Sequence, residues 1–257
     1  MKKYCLDLSV ISAEQINENY VLIKLTHSLP LPPMQPGQFV EVRVKHSPST
    51  FLRRPISINF VDFERNELWL LVATVGDGTR QMARLKPGER LNCILPLGKA
   101  FSLPASPSER FLLVGGGVGV APLLFLGQRI QEMGAMPTFL LGARTKNALL
   151  EMEAFERIGH VWVTTEDGSA GEQGFVTQHS VLQRERFDRI CTCGPKPMMV
   201  AVARYAAKED IPCEVSLENM MACGIGACLC CVEKTTDGNR CVCTEGPVFD
   251  TRQLLWA

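Results

Sequence analysis

Along the first hundred residues, apolar positions come in short alternating runs broken by proline and glycine. Phe39, Val40, Val42 and Val44 fall in QFVEVRV, Ile56 and Ile58 in RRPISIN, and Leu68 to Val75 form a longer apolar run. Turn signals such as Gln35-Pro36-Gly37 and Lys86-Pro87-Gly88 separate these runs. Period-two segments at this spacing predict an antiparallel β barrel or sandwich over residues 1–100. After the loose stretch Ser102 to Ser108 the rhythm changes. Strand-like segments at Phe111 to Val114, Pro137 to Leu141, Val161 to Thr164, Arg189 to Cys193 and Pro212 to Ser216 alternate with helix-like ones. The helices would be Ala121 to Met133, Asn147 to Phe155, Val176 to Leu182 and Pro197 to Lys208. Such alternation predicts βαβ units and a parallel-sheet α/β domain over 108–216. From 217 to 257 the regular pattern stops and cysteines crowd together.

Composition narrows the function classes. The 257 residues carry 27 basic and 27 acidic side chains, so no general field draws nucleic acid or an anionic membrane, and neither partner is expected. Phe111 to Gly127 contains no charge, but its 17 residues are interrupted by Gly115, Gly116, Gly117, Gly119 and Pro122, which fits a buried strand, turn and helix better than a membrane span. The N-terminal MKKYCLDLSV has its apolar stretch broken by Asp7 and makes a poor secretory signal, which places the protein in the cytoplasm. There, six of eleven cysteines lying between Cys223 and Cys243 point to metal ligation rather than disulfides.

Gly115 to Pro122 reads GGGVGVAP, after an apolar strand and before a helix. Glycines at Gly115, Gly116, Gly117 and Gly119 let backbone approach a ligand closely, and the helix N-terminus offers free N–H groups to a pyrophosphate. The spacing departs from G-x-G-x-x-G, and no acid follows about 20 residues later, so a bare strand-to-helix turn stays open. Arg54-Pro55-Ile56-Ser57 puts a guanidinium and a hydroxyl on one strand, a phosphate grip or equally a solvated arginine. Gly76-Asp77-Gly78-Thr79 before a helix-like stretch is an anion site or a turn. Cys193-Gly194-Pro195 ends a strand on the edge where open α/β sheets bind ligands. The tail is more specific. Cys223, Cys228, Cys231 and Cys243 form C-x4-C-x2-C-x11-C, the spacing of plant-type 2Fe-2S ligation, with small residues Gly224 to Ala227 in the loop. A zinc-stapled interaction module is the rival, but Cys241 and Cys243 are poorly spaced as its second pair. Cys230 and Cys241 are left over.

RPIS, GDGT, GGGVGVAP and CGP in this order resemble the ferredoxin-NADP reductase superfamily, in which a flavin-binding barrel precedes a pyridine-nucleotide domain. The tail, Leu217 to Cys228 (LENMMACGIGAC), then Cys231, then CTEGPVFD from Cys243, is similar to that of electron-transfer subunits of NAD-dependent class 1B dihydroorotate dehydrogenases. The resemblance implies FAD at Arg54, Pro55, Ile56 and Ser57, its diphosphate at Gly78 and Thr79, and Leu71, Val72 and Ala73 flanking it. Relatives often carry Tyr-Arg in place of Val72-Ala73, and many have Tyr in place of Ile56, so stacking and phosphate contacts would be supplied elsewhere. It further implies a 2Fe-2S cluster on Cys223, Cys228, Cys231 and Cys243, Ser57 near the flavin's reactive edge, and Cys193 near the nicotinamide. Arg144, after the second strand of the nucleotide domain, could contact a ribose phosphate and leaves NADP open on the residues, so the NAD preference rests on the resemblance. The implied partner is an FMN-containing dihydroorotate dehydrogenase catalytic subunit, in a heterotetramer with two copies of each chain. A sulfhydrogenase gamma subunit or the FAD-bearing subunit of a ferredoxin-NADP oxidoreductase complex is the alternative within the superfamily.

Overall fold

The computed structural model describes residues 2–256. Seven strands build one antiparallel sheet: β1 (Tyr4–Asn17), β2 (Tyr20–Thr26), β3 (Phe39–Arg43), β4 (Arg54–Ser57), β5 (Phe60–Asp62), β6 (Glu67–Ala73) and, after helix α1 (Asp77–Met82), β7 (Arg90–Leu97). Their order is β4-β3-β7-β1-β2-β6-β5, and the sheet curls until β4 comes back against β6. Period-two alternation explains the filling: Val40 and Val42 of β3 turn into the barrel core with Leu8, Ile23, Leu70 and Val72, while Phe39 joins a different core outside. GDGT lies inside the start of α1 rather than ahead of a helix.

The second sheet begins with β8 (Phe111–Gly116), every residue of it buried, as a parallel strand covered on both faces requires. Helix α2 (Ala121–Glu132) follows, with proline in its first turn. Then come β9 (Thr138–Ala143), α3 (Met152–Ile158), β10 (His160–Thr165), β11 (Glu172–Gln173), α4 (Val181–Arg184), β12 (Arg189–Cys193), α5 (Lys196–Lys208) and β13 (Cys213–Ser216). The tail adds a hairpin, β14 (Val232–Thr235) and β15 (Gly238–Cys241), the short α6 (Val242–Glu245) and β16 (Val248–Asp250). The sheet order is β11-β10-β9-β8-β12-β13-β16, parallel except for β16, which runs antiparallel to β13. The tail therefore keeps regular structure and completes the nucleotide-domain sheet.

Two expected helices differ from expectation. The one expected from Asn147 starts only at Met152, because Glu151 takes a left-handed backbone with φ 52° and leaves residues 146–148 as a single 3-10 turn. The one expected at Val176 to Leu182 breaks into a 3-10 turn, Val176–Gln178, and α4. His179 is extended between them, and its Nδ1 accepts the Val181 amide at 3.0 Å, so the side chain starts the second piece.

Three apolar cores tie the parts together. Phe125 of α2 enters the barrel core, its ring 6.1 Å from that of Phe60. Leu22 and Leu71 of the barrel join the core under β8 and α2. Phe39 and Leu97 of the barrel pack with Met199, Val215 and the tail's Cys231, Val242 and Cys243. Each large side chain so buried contributes about 2–3 kcal/mol to holding the parts in one arrangement. Among the described residues no helix is long and apolar enough to cross a membrane.

Candidate functional site

Two adjacent arginines begin the first site, and the fold gives them different work. Arg53 is committed to the barrel, donating to Glu41 O (3.1 Å), Asn92 O (3.2 Å) and Asn92 Oδ1 (2.5 Å). Arg54 donates only to the carbonyls of Leu52 (3.4 Å) and Arg53 (3.3 Å) and has no acidic partner among the described residues. Gly78 lies beside it: a Cβ there would stand 3.4 Å from Arg54 Nε and 3.0 Å from Thr50 Cγ2, so glycine keeps this corner open. Free guanidinium donors next to an open backbone turn suit a diphosphate. The Thr79 hydroxyl is already engaged, donating to Gly76 O at 3.1 Å and accepting from Gly76 N at 3.0 Å, and so closes the first turn of α1.

Strand alternation sorts the remaining barrel residues. Ile56 packs toward the barrel core, with Pro55 and Ser57 on the opposite face of β4. On β6, Val72 is fully buried in the barrel core and Leu71 in the core shared with α2, which leaves Ala73 and the strand backbone open to a ligand.

The second site joins two motifs that are far apart in sequence. β8 and β12 are neighbours, with Cys193 opposite Gly115. Gly117 has φ 56°, which lets the loop turn, and a Cβ on it would lie 3.8 Å from the Tyr20 hydroxyl of the barrel. A Cβ on Gly119 would collide with the Gly194 backbone and stand 2.6 Å from the Cys193 carbonyl carbon. Gly116 faces Met198 Sδ, at 2.8 Å from its Cβ position, and Pro195. GGGVGVAP and CGP thus interlock on the C-terminal edge of the parallel sheet, the edge where such sheets bind ligands.

Burial holds the Cys193 thiol well above its usual range, the charge of Glu218 adds to this, and the Ser216 hydroxyl and Gly194 amide oppose it. With no exposed surface, the Cys193 thiol is enclosed, and Glu218 is close enough for its charge to act on it. The surrounding protein partly shields the Glu218 carboxyl and raises it, although the residue as a whole stays exposed, and it has no hydrogen-bond or ion-pair partner among the described residues. Sequence reasoning missed Glu218; an acid two residues beyond a strand's C-terminal end on the ligand edge was the available signal.

The tail brings its cysteines together as two pairs. Cys223 lies against Cys228, and Cys231 against Cys243, whose amide donates to Cys231 Sγ at 3.4 Å. Burial pushes the Cys223 thiol up, but the amides of Ile225, Cys228 and Ala227 and the Cys228 thiol outweigh it and bring it down to about 6. The Ile225 and Ala227 amides reach its sulfur at 3.5 and 3.3 Å. The Cys243 thiol is pushed up to about 12, by burial first and then by Cys231. Among the described residues no three donors converge on one metal ion. Two thiols per iron, with amides already directed at one sulfur, are what a two-iron, two-sulfide cluster takes, so the residues fit. Of the leftover cysteines, Cys230 is exposed, while Cys241 is close enough for Cys231, Cys223 and Cys228 to raise its thiol, burial being the larger cause.

Glu41 of β3 is a second residue that sequence reasoning missed. It is fully buried, with both carboxylate oxygens unpartnered, and a Cβ on Gly224 would stand 2.8 Å from its Oε1. Burial raises it to about 7 against the opposing charges of Arg53 and Arg54. The barrel therefore touches the cysteine loop directly. A cavity of about 560 Å³ beside β10, lined by Lys146, Leu149, Met152, Trp162 and His179, contains none of the motif residues.

Residues 218–255 match the iron-sulfur cluster binding domain of dihydroorotate dehydrogenase B, and residues 113–204 an oxidoreductase NAD-binding domain. The chain is 40% identical over 227 residues to the dihydroorotate dehydrogenase B (NAD(+)) electron transfer subunit of Shouchella clausii, covering 86% of each chain. It is 38% identical to the subunit of the same name from Bacillus cereus, covering 97% of this chain and 98% of that one. Among solved structures, an NADH-dependent reduced ferredoxin-NADP oxidoreductase, studied for flavin-based electron bifurcation, superposes with a TM-score of 0.86 at 29% identity, over 97% of this chain and 90% of that one.

Proposed function

The chain belongs to the family of dihydroorotate dehydrogenase B (NAD(+)) electron transfer subunits, and from that premise we propose the route its electrons take: from a partner's FMN through the cysteine tail to the barrel, and out to NAD+ at the sheet edge. When bound, FAD exchanges an electron pair with a nicotinamide as hydride and exchanges single electrons with an iron-sulfur cluster, which makes it the necessary go-between. The chain's own residues do the positioning. Arg54 holds a flavin phosphate at the corner that Gly78 keeps open, and Ser57 stands on the outer face of β4. Gly115, Gly116, Gly117 and Gly119 bring backbone amides close to the nicotinamide dinucleotide, while Gly194 and Pro195 close the far side and Glu218 lines the corner beside Cys193. Cys223 with Cys228, and Cys231 with Cys243, are the thiol pairs that would hold the cluster irons.

One observation carries the reading. A single apolar core contains barrel residues Phe39 and Leu97, nucleotide-domain residues Met199 and Val215, and the cluster cysteines Cys231 and Cys243. A core shared by all three parts of the chain would keep cofactors held on them in fixed mutual positions, as a relay needs. The catalytic partner would carry the dihydroorotate chemistry, in an assembly of two copies of each chain in the cytoplasm. Co-expression of the chain with a candidate FMN-bearing subunit, followed by an assay of dihydroorotate-dependent NAD+ reduction, tests this. A chain that carries flavin and cluster but never co-purifies with that subunit, and gives no dihydroorotate-dependent NADH, would refute the assignment.

A further inference from the structure

Asn59 follows Ser57 by two residues and is fully buried where the barrel meets the nucleotide domain. Its backbone belongs to the barrel, its amide donating to Trp69 O at 3.0 Å. Its side chain belongs to the other domain: Nδ2 donates to Ala121 O at 3.3 Å and to Glu151 Oε2 at 2.9 Å. Ala121 is the first residue of α2, directly after the glycine loop, and Glu151 precedes α3. One amide therefore connects the flavin strand to the starts of two nucleotide-domain helices.

Glu151 is held in place against two costs. Its backbone is left-handed, with φ 52° and ψ 29°, which a glycine would adopt more easily. Its carboxyl is raised to about 7, mainly by burial, with the Asn59 hydrogen bond and the Lys24 charge opposing. The α3 amides of Ala154 and Phe155 bond to its backbone oxygen, at 2.9 and 3.2 Å, and so need no carboxylate. The side chain's recorded hydrogen-bond partner is Asn59. A residue in strained backbone, with a half-dry acid aimed at one buried amide, is placed for that contact.

We infer that Asn59 and Glu151 form an interdomain pin that sets the distance and angle between the flavin strand and the glycine loop, and through them the alignment for hydride transfer. This rests on the proposed exchange between flavin and NAD. Both are positioning residues. Alignment is steeply sensitive to distance, since a displacement near 1 Å costs about 100-fold in rate.

The test uses the full chain loaded with FAD and cluster. Anaerobic stopped-flow gives the limiting rate of flavin reduction by NADH and, separately, the NADH dissociation constant. Glu151→Gly removes the carboxylate while relieving the backbone strain, so the fold is not weakened at that residue. The limiting rate should fall at least tenfold, with the dissociation constant within threefold and flavin and cluster content unchanged. Glu151→Gln keeps an acceptor for the Asn59 amide and should stay within threefold of the unaltered chain. Hydrogen exchange, read without turnover, should speed up at least tenfold in residues 117–124 of Glu151→Gly and stay unchanged in β1 and β2. An unchanged limiting rate in Glu151→Gly, or a Glu151→Gln variant as slow as Glu151→Gly, overturns the pin. Failure of NADH to reduce the flavin of the unaltered chain would instead refute the proposed function.

Discussion

Replacing Gly119 with alanine tests whether the interlock between the glycine loop and the Cys193-Gly194-Pro195 turn builds the nicotinamide site. The added Cβ would meet backbone: Gly194 Cα and N, and the Cys193 carbonyl carbon at 2.6 Å. Carbon atoms settle at about 3.5 Å or beyond, and the Gly194 Cα is nearer still than the Cys193 carbon, so the two loops must part by about 1 Å, with no flexible side chain present to yield instead. Overpacking of this kind costs about 1–3 kcal/mol, a fraction of what holds a domain together, so the protein should fold and keep its flavin and cluster. A displacement near 1 Å at the reacting centre should slow flavin reduction by NADH about 100-fold. Gly116→Ala supplies the internal comparison: its Cβ meets the Met198 sulfur at 2.8 Å, which can swing away, so the loss should stay below tenfold. Anaerobic stopped-flow with NADH, with flavin and cluster content from the absorption spectrum, reads both variants. If Gly119→Ala reduces its flavin within threefold of the unaltered rate, or Gly116→Ala is the slower of the two, the interlock does not position the nicotinamide.

Cys228→Ser removes the partner of Cys223 and should abolish the cluster's visible absorption while leaving FAD bound; a normal cluster spectrum would mean that the exposed Cys230 takes its place. Arg54→Ala removes a charge-assisted phosphate contact worth about 1.5–3 kcal/mol and should weaken FAD roughly 10- to 100-fold in a binding titration; an unchanged dissociation constant would move the phosphate elsewhere. The Glu151 carboxyl, raised from 4.5 to about 7 in the folded chain, contributes stability that is complete below pH 4.5 and lost as pH rises through 7. The unaltered chain should therefore lose stability against Glu151→Gln between pH 5 and 8, by on the order of 2 kcal/mol in denaturant titrations; parallel pH curves would refute the shift.

What the residues disclose in sequence depends on how local the physics is. β12 is legible because a parallel strand covered on both faces buries residues of both parities, and after Arg189 the four residues Ile190 to Cys193 are small or apolar enough to be buried without a break. The cluster ligands are legible because wrapping a cluster fixes spacing along the chain, and C-x4-C-x2-C-x11-C survives any rearrangement around it. The start of α3 is not legible: nothing in Asn147 to Phe155 signals that Glu151 turns left-handed, and the partner of its side chain is Asn59, 92 residues away in the barrel. Glu41 and Glu218 are hidden for the same reason, their neighbours Gly224 and Cys193 lying across a domain boundary, and the meeting of Gly119 with Gly194 is hidden because it joins two loops of one domain that are far apart in sequence. Even the choice between Arg53 and Arg54 needs the fold, since only strand register shows that Asn92 occupies the first and leaves the second free.

The tail's two thiol pairs differ in their access to solvent. Cys231 and Cys243 are 2% and 1% exposed and share a core with Phe39 and Leu97 of the barrel, whereas Cys228 is exposed and Cys223 half-buried. The exposed apolar residues of this region, Met220, Ile225 and Leu229, flank the Cys223–Cys228 pair. One pair thus looks outward among apolar side chains that water does not favour, and the other looks inward to the flavin strand's neighbours. An electron entering through the outward pair needs no path through the nucleotide domain. One leaving through the inward pair meets β3, whose outer-face Phe39 pairs with Ser57. Burial thus distinguishes the two pairs by access, while both lie close to β3, Cys231 and Cys243 through Phe39 and Cys223 through Gly224 against Glu41; which way electrons run between them follows from the potentials of the groups they join.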